Sequence, residues 1–224
     1  MTTGWDATFR SRRLIAGSII AVVAATVAYS VIPRRADLTR FDPAAMARRE
    51  TSMWRHYYEK RYFPLFFDLY ETSRRGQGFS PLDSMRLAVA AARAAKAFQP
   101  SASRAEAEAA LPYLIGYFRI LSRAAPVAVD VEDAARTELA WWQARREAVP
   151  PEQYGAIIAR VSTLLYGVDN AHIRRAGVIR AQAMEYRDAH AANMTEADWS
   201  AIDRELQLAY GLLKKAVSWP ARRD

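Results

Sequence analysis

Residues 42–59 read DPAAMARRETSMWRHYYE, and residues 130–147 read DVEDAARTELAWWQARRE. Both open on an aspartate suited to cap a helix, the first with proline at the next position. Both then carry Glu-x-x-x-Trp-x-x-x-x-Glu: Glu50, Trp54 and Glu59 in the first, Glu138, Trp142 and Glu147 in the second, 88 positions on. Neither stretch alternates between apolar and polar residues, as a half-buried strand would. Spaced 100° apart on a helical wheel, Met46, Ala47, Met53, Trp54, Tyr57 and Tyr58 share one arc of the first stretch. Val131, Ala134, Ala135, Leu139, Trp141 and Trp142 share one arc of the second.

The same helical period continues along the rest of the domain. Ser80-Pro81 repeats the cap-then-proline device, Ser103 with Glu106 forms a capping box, and Thr195 with Asp198 is a weaker version. Pro150-Pro151 and Asp169 open further helices. The expected helices are 43–74, 81–98, 104–123, 131–147, 151–166, 170–191 and 196–217. Pro64 and Pro112 should kink or break the first and third, because proline lacks an amide donor and crowds the preceding turn. No Asn-Gly or Asp-Gly hairpin signal occurs. The fold class is therefore all-α: about seven helices forming a bundle domain over 42–219, with a frayed tail at 220–224. The 88-residue offset suggests two related three-helix halves, 43–123 and 130–217.

Before this domain lies LIAGSIIAVVAATVAYSVI, Leu14 to Ile32, nineteen residues without a charge and closed by arginine at both ends. As a helix it would span about 28 Å, close to the hydrocarbon thickness of a bilayer. It reads as a transmembrane signal anchor, with a tail at 1–13 and a linker at 33–41. Ala28-Tyr29-Ser30 also fits a signal-peptidase site with cleavage after Ser30, so a removed signal peptide is the second reading. Arg10, Arg12 and Arg13 favour a cytoplasmic N-terminus, with the domain on the outer, periplasmic side of an inner or plasma membrane. A cytoplasmic domain is the alternative.

Composition narrows the chemistry. The chain has 224 residues, no cysteine, three histidines and a formal charge of +8. Without cysteine there is no disulfide, thiolate metal site or cysteine nucleophile. Residues 1–35 hold half of the charge excess, so the domain is only mildly basic and no nucleic-acid face is indicated. No phosphate loop, Gly-x-Ser-x-Gly elbow or His-Glu-x-x-His occurs. No cofactor is implied, and the missing motifs point away from an enzyme.

What stands out is charge in the wrong place. Glu50 falls near the middle of the first apolar arc, with Arg61 on the same side. Glu138 falls near the middle of the second, with Arg145 beside it. Buried carboxylates must be paired or protonated. The structural reading is a network in which Arg61 and Arg145 neutralise Glu50 and Glu138, with Trp54, Tyr57 and Trp142 adding hydrogen bonds. The site reading makes these residues a ligand pocket with His172 as an imidazole ligand. Di-metal bundles use Glu-x-x-His, which is absent, so no metal is assigned. His190, eighteen residues from His172, lies about 27 Å further along the same helix and suits a helix-terminal contact. His56 falls at the edge of a polar face. The functional expectation is a membrane-anchored accessory, scaffold or assembly subunit working through a membrane protein or envelope complex. The alternative is a helical-bundle enzyme or ligand-binding protein with its site around Glu50, Glu138 and His172.

Overall fold

A computed structural model describes the backbone of residues 4–32 and 34–218, with side chains from Ser18 onward. Among the described residues all regular structure is helical: α1 (Gly4–Val31), α2 (Pro43–Tyr58), α3 (Tyr62–Glu71), α4 (Pro81–Phe98), α5 (Arg104–Ala107), α6 (Leu111–Leu121), α7 (Val131–Arg146), α8 (Pro151–Tyr166), α9 (Ala171–Ala189) and α10 (Glu196–Ser218). Thr72–Gly76 continues α3 as a π turn, and short 3-10 turns flank α6. The tail expected at 220–224 lies outside the described residues.

The caps explain the starts. Asp42 accepts from the Ala45 amide, Ser80 from Asp83, Ser103 from Glu106, Asp130 from Glu132 and Asp133, and Asn170 from His172 and Ile173. Asn170 therefore caps α9, while Asp169 pairs with Arg174. Thr195 and Asp198 form a full reciprocal box, stronger than the sequence suggests: each accepts from the other's backbone amide. The Thr195 hydroxyl, the Tyr186 hydroxyl and the Thr195 amide together hold Asp198 down to about 2.

The prolines act upstream of themselves. The helix expected over 43–74 stops at Tyr58, so that Pro64 falls in the first turn of α3, where an amide would have no partner anyway. Pro112 likewise sits in the first turn of α6. α2 ends with Lys60 at φ 57°, its amide on Tyr57 O and the Arg61 amide on His56 O. α7 ends the same way 88 residues later. Ala148 is at φ 54°, its amide on Arg145 O, and the Val149 amide is on Ala144 O. Both are Schellman ends, which favour glycine at the left-handed residue. Ala148→Gly is expected to stabilise the chain by about 1 kcal/mol, read as a higher denaturant midpoint.

Packing follows chain order. α2 packs on α3, α3 on α4, α4 on α6, α6 on α7, α7 on α8, α8 on α9 and α9 on α10, and α10 returns to α2. Eight helices thus close a ring. The neighbour order α2, α3, α4, α6 is matched by α7, α8, α9, α10. Leu87, Leu114, Phe118, Leu139, Trp141, Tyr154 and Ile158 are among the side chains filling the interior. A second cluster joins α2, α9 and α10 through Ala47, Ala183, Trp199, Ile202 and Leu206.

Residues 34–41 are not a free tether. Leu38 is buried, donates its amide to Ala124 O and accepts from the Tyr166 hydroxyl. Thr39 O accepts from Lys214 Nζ at 2.6 Å, and Phe41 meets the edge of Tyr210. These contacts touch the ends of α6, α8 and α10, so the segment crosses one end of the ring.

The expected membrane span does not emerge as such. Among the described residues no helix is long and apolar enough to cross a membrane. Leu14 to Gly17, the start of the apolar run, lie outside the described side chains. What remains falls short of the roughly 20 apolar residues a spanning helix needs. Within it Ile19, Ile20, Val22, Val23, Val27 and Val31 are each more than half exposed. α1 touches the ring through α4 and through Tyr29, whose hydroxyl accepts from Arg74 Nη2 at 2.8 Å.

Candidate functional site

Glu50 lies at mid-height of α2 and is 2% exposed. Its cation is not Arg61. Arg180 of α9 donates from Nε to Oε1 at 2.7 Å and places Nη2 2.5 Å from the same oxygen. The Tyr210 hydroxyl of α10 donates to Oε2 at 2.5 Å. Burial alone would lower the Arg180 pKa, but the charge of Glu50 beside it holds the guanidinium above its ordinary value. Burial and the Glu50 charge also push the Tyr210 hydroxyl up.

Glu138 occupies the matching level of α7 and is partly buried. Trp142 Nε1, one turn on, donates to Oε1 at 3.0 Å. No cation pairs with Glu138 among the described residues. Trp141 Nε1 lies near enough to help stabilise the carboxylate but completes no hydrogen bond. Burial raises the Glu138 pKa above 4.5, and Glu50 adds to the rise, while Arg180 and the two indoles oppose it. Tyr117 of α6 stands nearby; burial, then the Glu138 charge, push its hydroxyl up to about 12. Arg180 thus sits between the two carboxyls, bonded to Glu50 and felt by Glu138.

This asymmetry has a pH consequence. From pH 4.5 up to the raised value, the folded chain keeps a proton on Glu138 that the unfolded chain has lost. Stability therefore falls as pH rises through that window. Glu138→Gln is expected to flatten this part of the stability-versus-pH curve, measured by denaturant titration at several pH values.

The other expected members lie elsewhere. Arg61 is 55% exposed and 3.6 Å from Glu59, because the chain turns at Lys60 and carries it out of the α2 arc. It lines a surface groove of about 690 Å³ with Arg48, Arg55, Asp203 and Arg204. Arg145 does not serve Glu138. It makes a two-pronged pair with Asp188 of α9 and donates to the Tyr58 hydroxyl. Trp54 packs between the two apolar clusters. Tyr57 meets the Tyr58 ring edge-on, and burial raises its hydroxyl pKa. His172 is exposed in the first turn of α9, and its imidazole makes no hydrogen bond or ion pair there. It lies eight residues, about 12 Å along the axis, from Arg180.

His190 is the C-cap of α9, with Nδ1 2.8 Å from Tyr186 O. His56 is not a solvated edge residue: its Nδ1 lies 2.9 Å from Asp68 Oδ2, which also accepts from Ser52 Oγ. The aspartate stands between serine and histidine, so the histidine cannot activate the serine as it does in a hydrolytic triad. Among the described residues no group of three or more histidines and carboxylates could hold a metal.

Arg180, Tyr210 and Tyr117 are absent from the sequence-derived set. Arg180 did leave a signal. Its neighbours three and four positions away are Ala176, Gly177, Ala183 and Met184, an uncharged setting for a helical arginine. Compared with known proteins, the chain matches no family model, no curated protein and no solved structure.

Proposed function

We propose that the chain is a membrane-tethered accessory domain, held to a bilayer by residues 14–32 and working as a scaffold or assembly subunit of an envelope complex. The observation that carries this reading is the surface of α1. Ile19, Ile20, Val22 and Val23 share one broad arc of the helix and are each more than half exposed, and the exposed Ala21, Ala24 and Ala25 cover the rest of its circumference. A helix apolar on every side needs lipid or protein around it. Protein contact with the ring covers little of it, and arginines flank the run at both ends. A second surface suits the partner. Tyr62, Phe63 and Phe67 of α3 are exposed, Phe63 at 83%. They lie at the start of α3, whereas Arg74, which meets α1, follows its end. The patch therefore begins at the end of α3 opposite the contact with the tether. Exposed aromatic clusters of this kind favour protein contact.

The test is extraction. The full chain should stay with membranes through alkaline carbonate and leave only in detergent, while a chain lacking residues 1–32 should be released in buffer. In detergent the full chain should hold a stoichiometric protein partner that Phe63→Arg loses. Release of the full chain by carbonate would end the tether reading, and a partner-free extract would end the subunit reading. The chain has no cysteine, so one introduced at Phe63 reports which side the domain occupies.

A further inference from the structure

The interior holds two half-sites of the same design, and one is missing its cation. In the first, Glu50 of α2 receives Tyr210 from α10 and Arg180 from α9. In the second, Glu138 of α7 has Tyr117 from α6 close by, and the corresponding neighbour is α4. Arg180 is the tenth residue of α9, and the tenth residue of α4 is Ala90. Matching the buried faces instead, Ile173, Ala176, Gly177 and Ala183 against Ser84, Leu87, Ala88 and Ala94, pairs Arg180 with Ala91. Position 92 is alanine as well. At the level where α9 sends a guanidinium inward, α4 therefore offers only methyl groups.

The charges and donors agree with the shapes. Two carboxyls, Glu50 and Glu138, share one guanidinium, so the interior is one positive charge short when both are ionised. Trp141 is 8% exposed, and its Nε1, beside the Glu138 carboxyl, is buried without a partner. The Tyr117 hydroxyl makes no hydrogen bond, yet it is not sealed off as Trp141 Nε1 is. The Arg180 side chain is 31% exposed, so this polar cluster is not wholly closed to solvent. Other charged neighbours of α7 are engaged at its ends: Arg160 of α8 with Asp133, and Arg104 of α5 with Glu147.

We propose that Glu138 is the anchor of a binding site for an organic monocation bearing a guanidinium group, seated over Ala90 and Ala91 where the second half-site lacks an arginine. The ligand's N–H groups would meet the Glu138 carboxylate, with Tyr117 beside it and the Trp141 and Trp142 rings flanking it. The ionisable groups that bear on the Glu138 carboxyl are Arg180, Glu50 and Tyr117. The inference does not rest on the membrane tether.

The test uses the full chain in a non-ionic detergent with n-propylguanidinium as probe and its neutral isostere n-propylurea as control. Propylguanidinium should raise the melting temperature saturably, and calorimetry should show a saturable heat of binding. Propylurea should do neither. Glu138→Gln keeps the shape and should weaken binding about 100-fold. Ala91→Arg supplies the guanidinium from the chain itself and should melt higher and ignore the probe. No saturable shift in the unaltered chain, or an equal shift in Glu138→Gln, would overturn the proposal.

Discussion

Arg180→Met should cost the fold about 3 kcal/mol, the lower end of the range for breaking a buried ion pair from one side. The reason is what stays behind. Glu50 is 2% exposed, and without the guanidinium it keeps only the Tyr210 hydroxyl as a partner. Methionine fills much of the space but cannot answer the charge. The loss falls at the lower end because the Arg180 side chain is 31% exposed, so water can reach part of the gap. The effect should be visible as a drop in denaturant midpoint with little change in slope. Arg180→Met combined with Glu50→Gln should recover much of the loss, because the uncompensated charge is then gone. A double variant as unstable as the single one would mean that Arg180 acts through packing and not through Glu50.

Helices α2 and α7 were legible because each carries one apolar arc with a carboxylate inside it. The spacing that placed Glu50 and Glu138 inward depends only on local geometry, and both side chains do turn inward. Their partners were not legible for two reasons. Arg61 and Arg145 share a wheel sector with the carboxylates, and a sector has meaning only while the helix continues. The turn at Lys60 ends α2 before Arg61 and sends it to the surface. Arg145 lies two turns beyond Glu138, within reach of Asp188. The true partner comes from α9, which is buried by α8 on one side and α10 on another. Such a helix has small and apolar residues on several faces and no single stripe, so the uncharged neighbours of Arg180 mark it as inward without naming the carboxylate it meets. The all-helical class survives because caps and prolines act within a few residues. The closure of α10 onto α2 depends on contacts more than 140 residues apart, such as Arg55 with Glu196, which no local pattern encodes.

Gly177→Ala should be at least as damaging as losing Arg180, although it adds only a methyl group. α8 and α9 form the most extensive helix pair of the ring, and they meet backbone to backbone at Gly155 and Gly177. A Cβ on Gly177 would lie 2.3 Å from Gly155 O, and one on Gly155 would lie 2.7 Å from Val178 Cα. Neither obstacle is the movable end of a side chain, so the two helices must separate. Overpacking of this kind costs about 1–3 kcal/mol, and more when backbone must move. Alanine's better helix propensity returns only about 1 kcal/mol. Gly116 and Gly211 supply the control: a Cβ at either meets nothing within 4 Å, so Gly116→Ala and Gly211→Ala should raise stability by about that amount. The same substitution thus changes sign with position. The damage at Gly177 should also reach the interior, because Arg180 is three residues away on the same face of α9. Moving α9 outward draws the guanidinium from Glu50. Gly177→Ala and Arg180→Met should therefore cost less together than the sum of the two alone, measured as a double-variant cycle of denaturant midpoints. Strict additivity would show that the α8–α9 contact and the ion pair are separate supports of the fold.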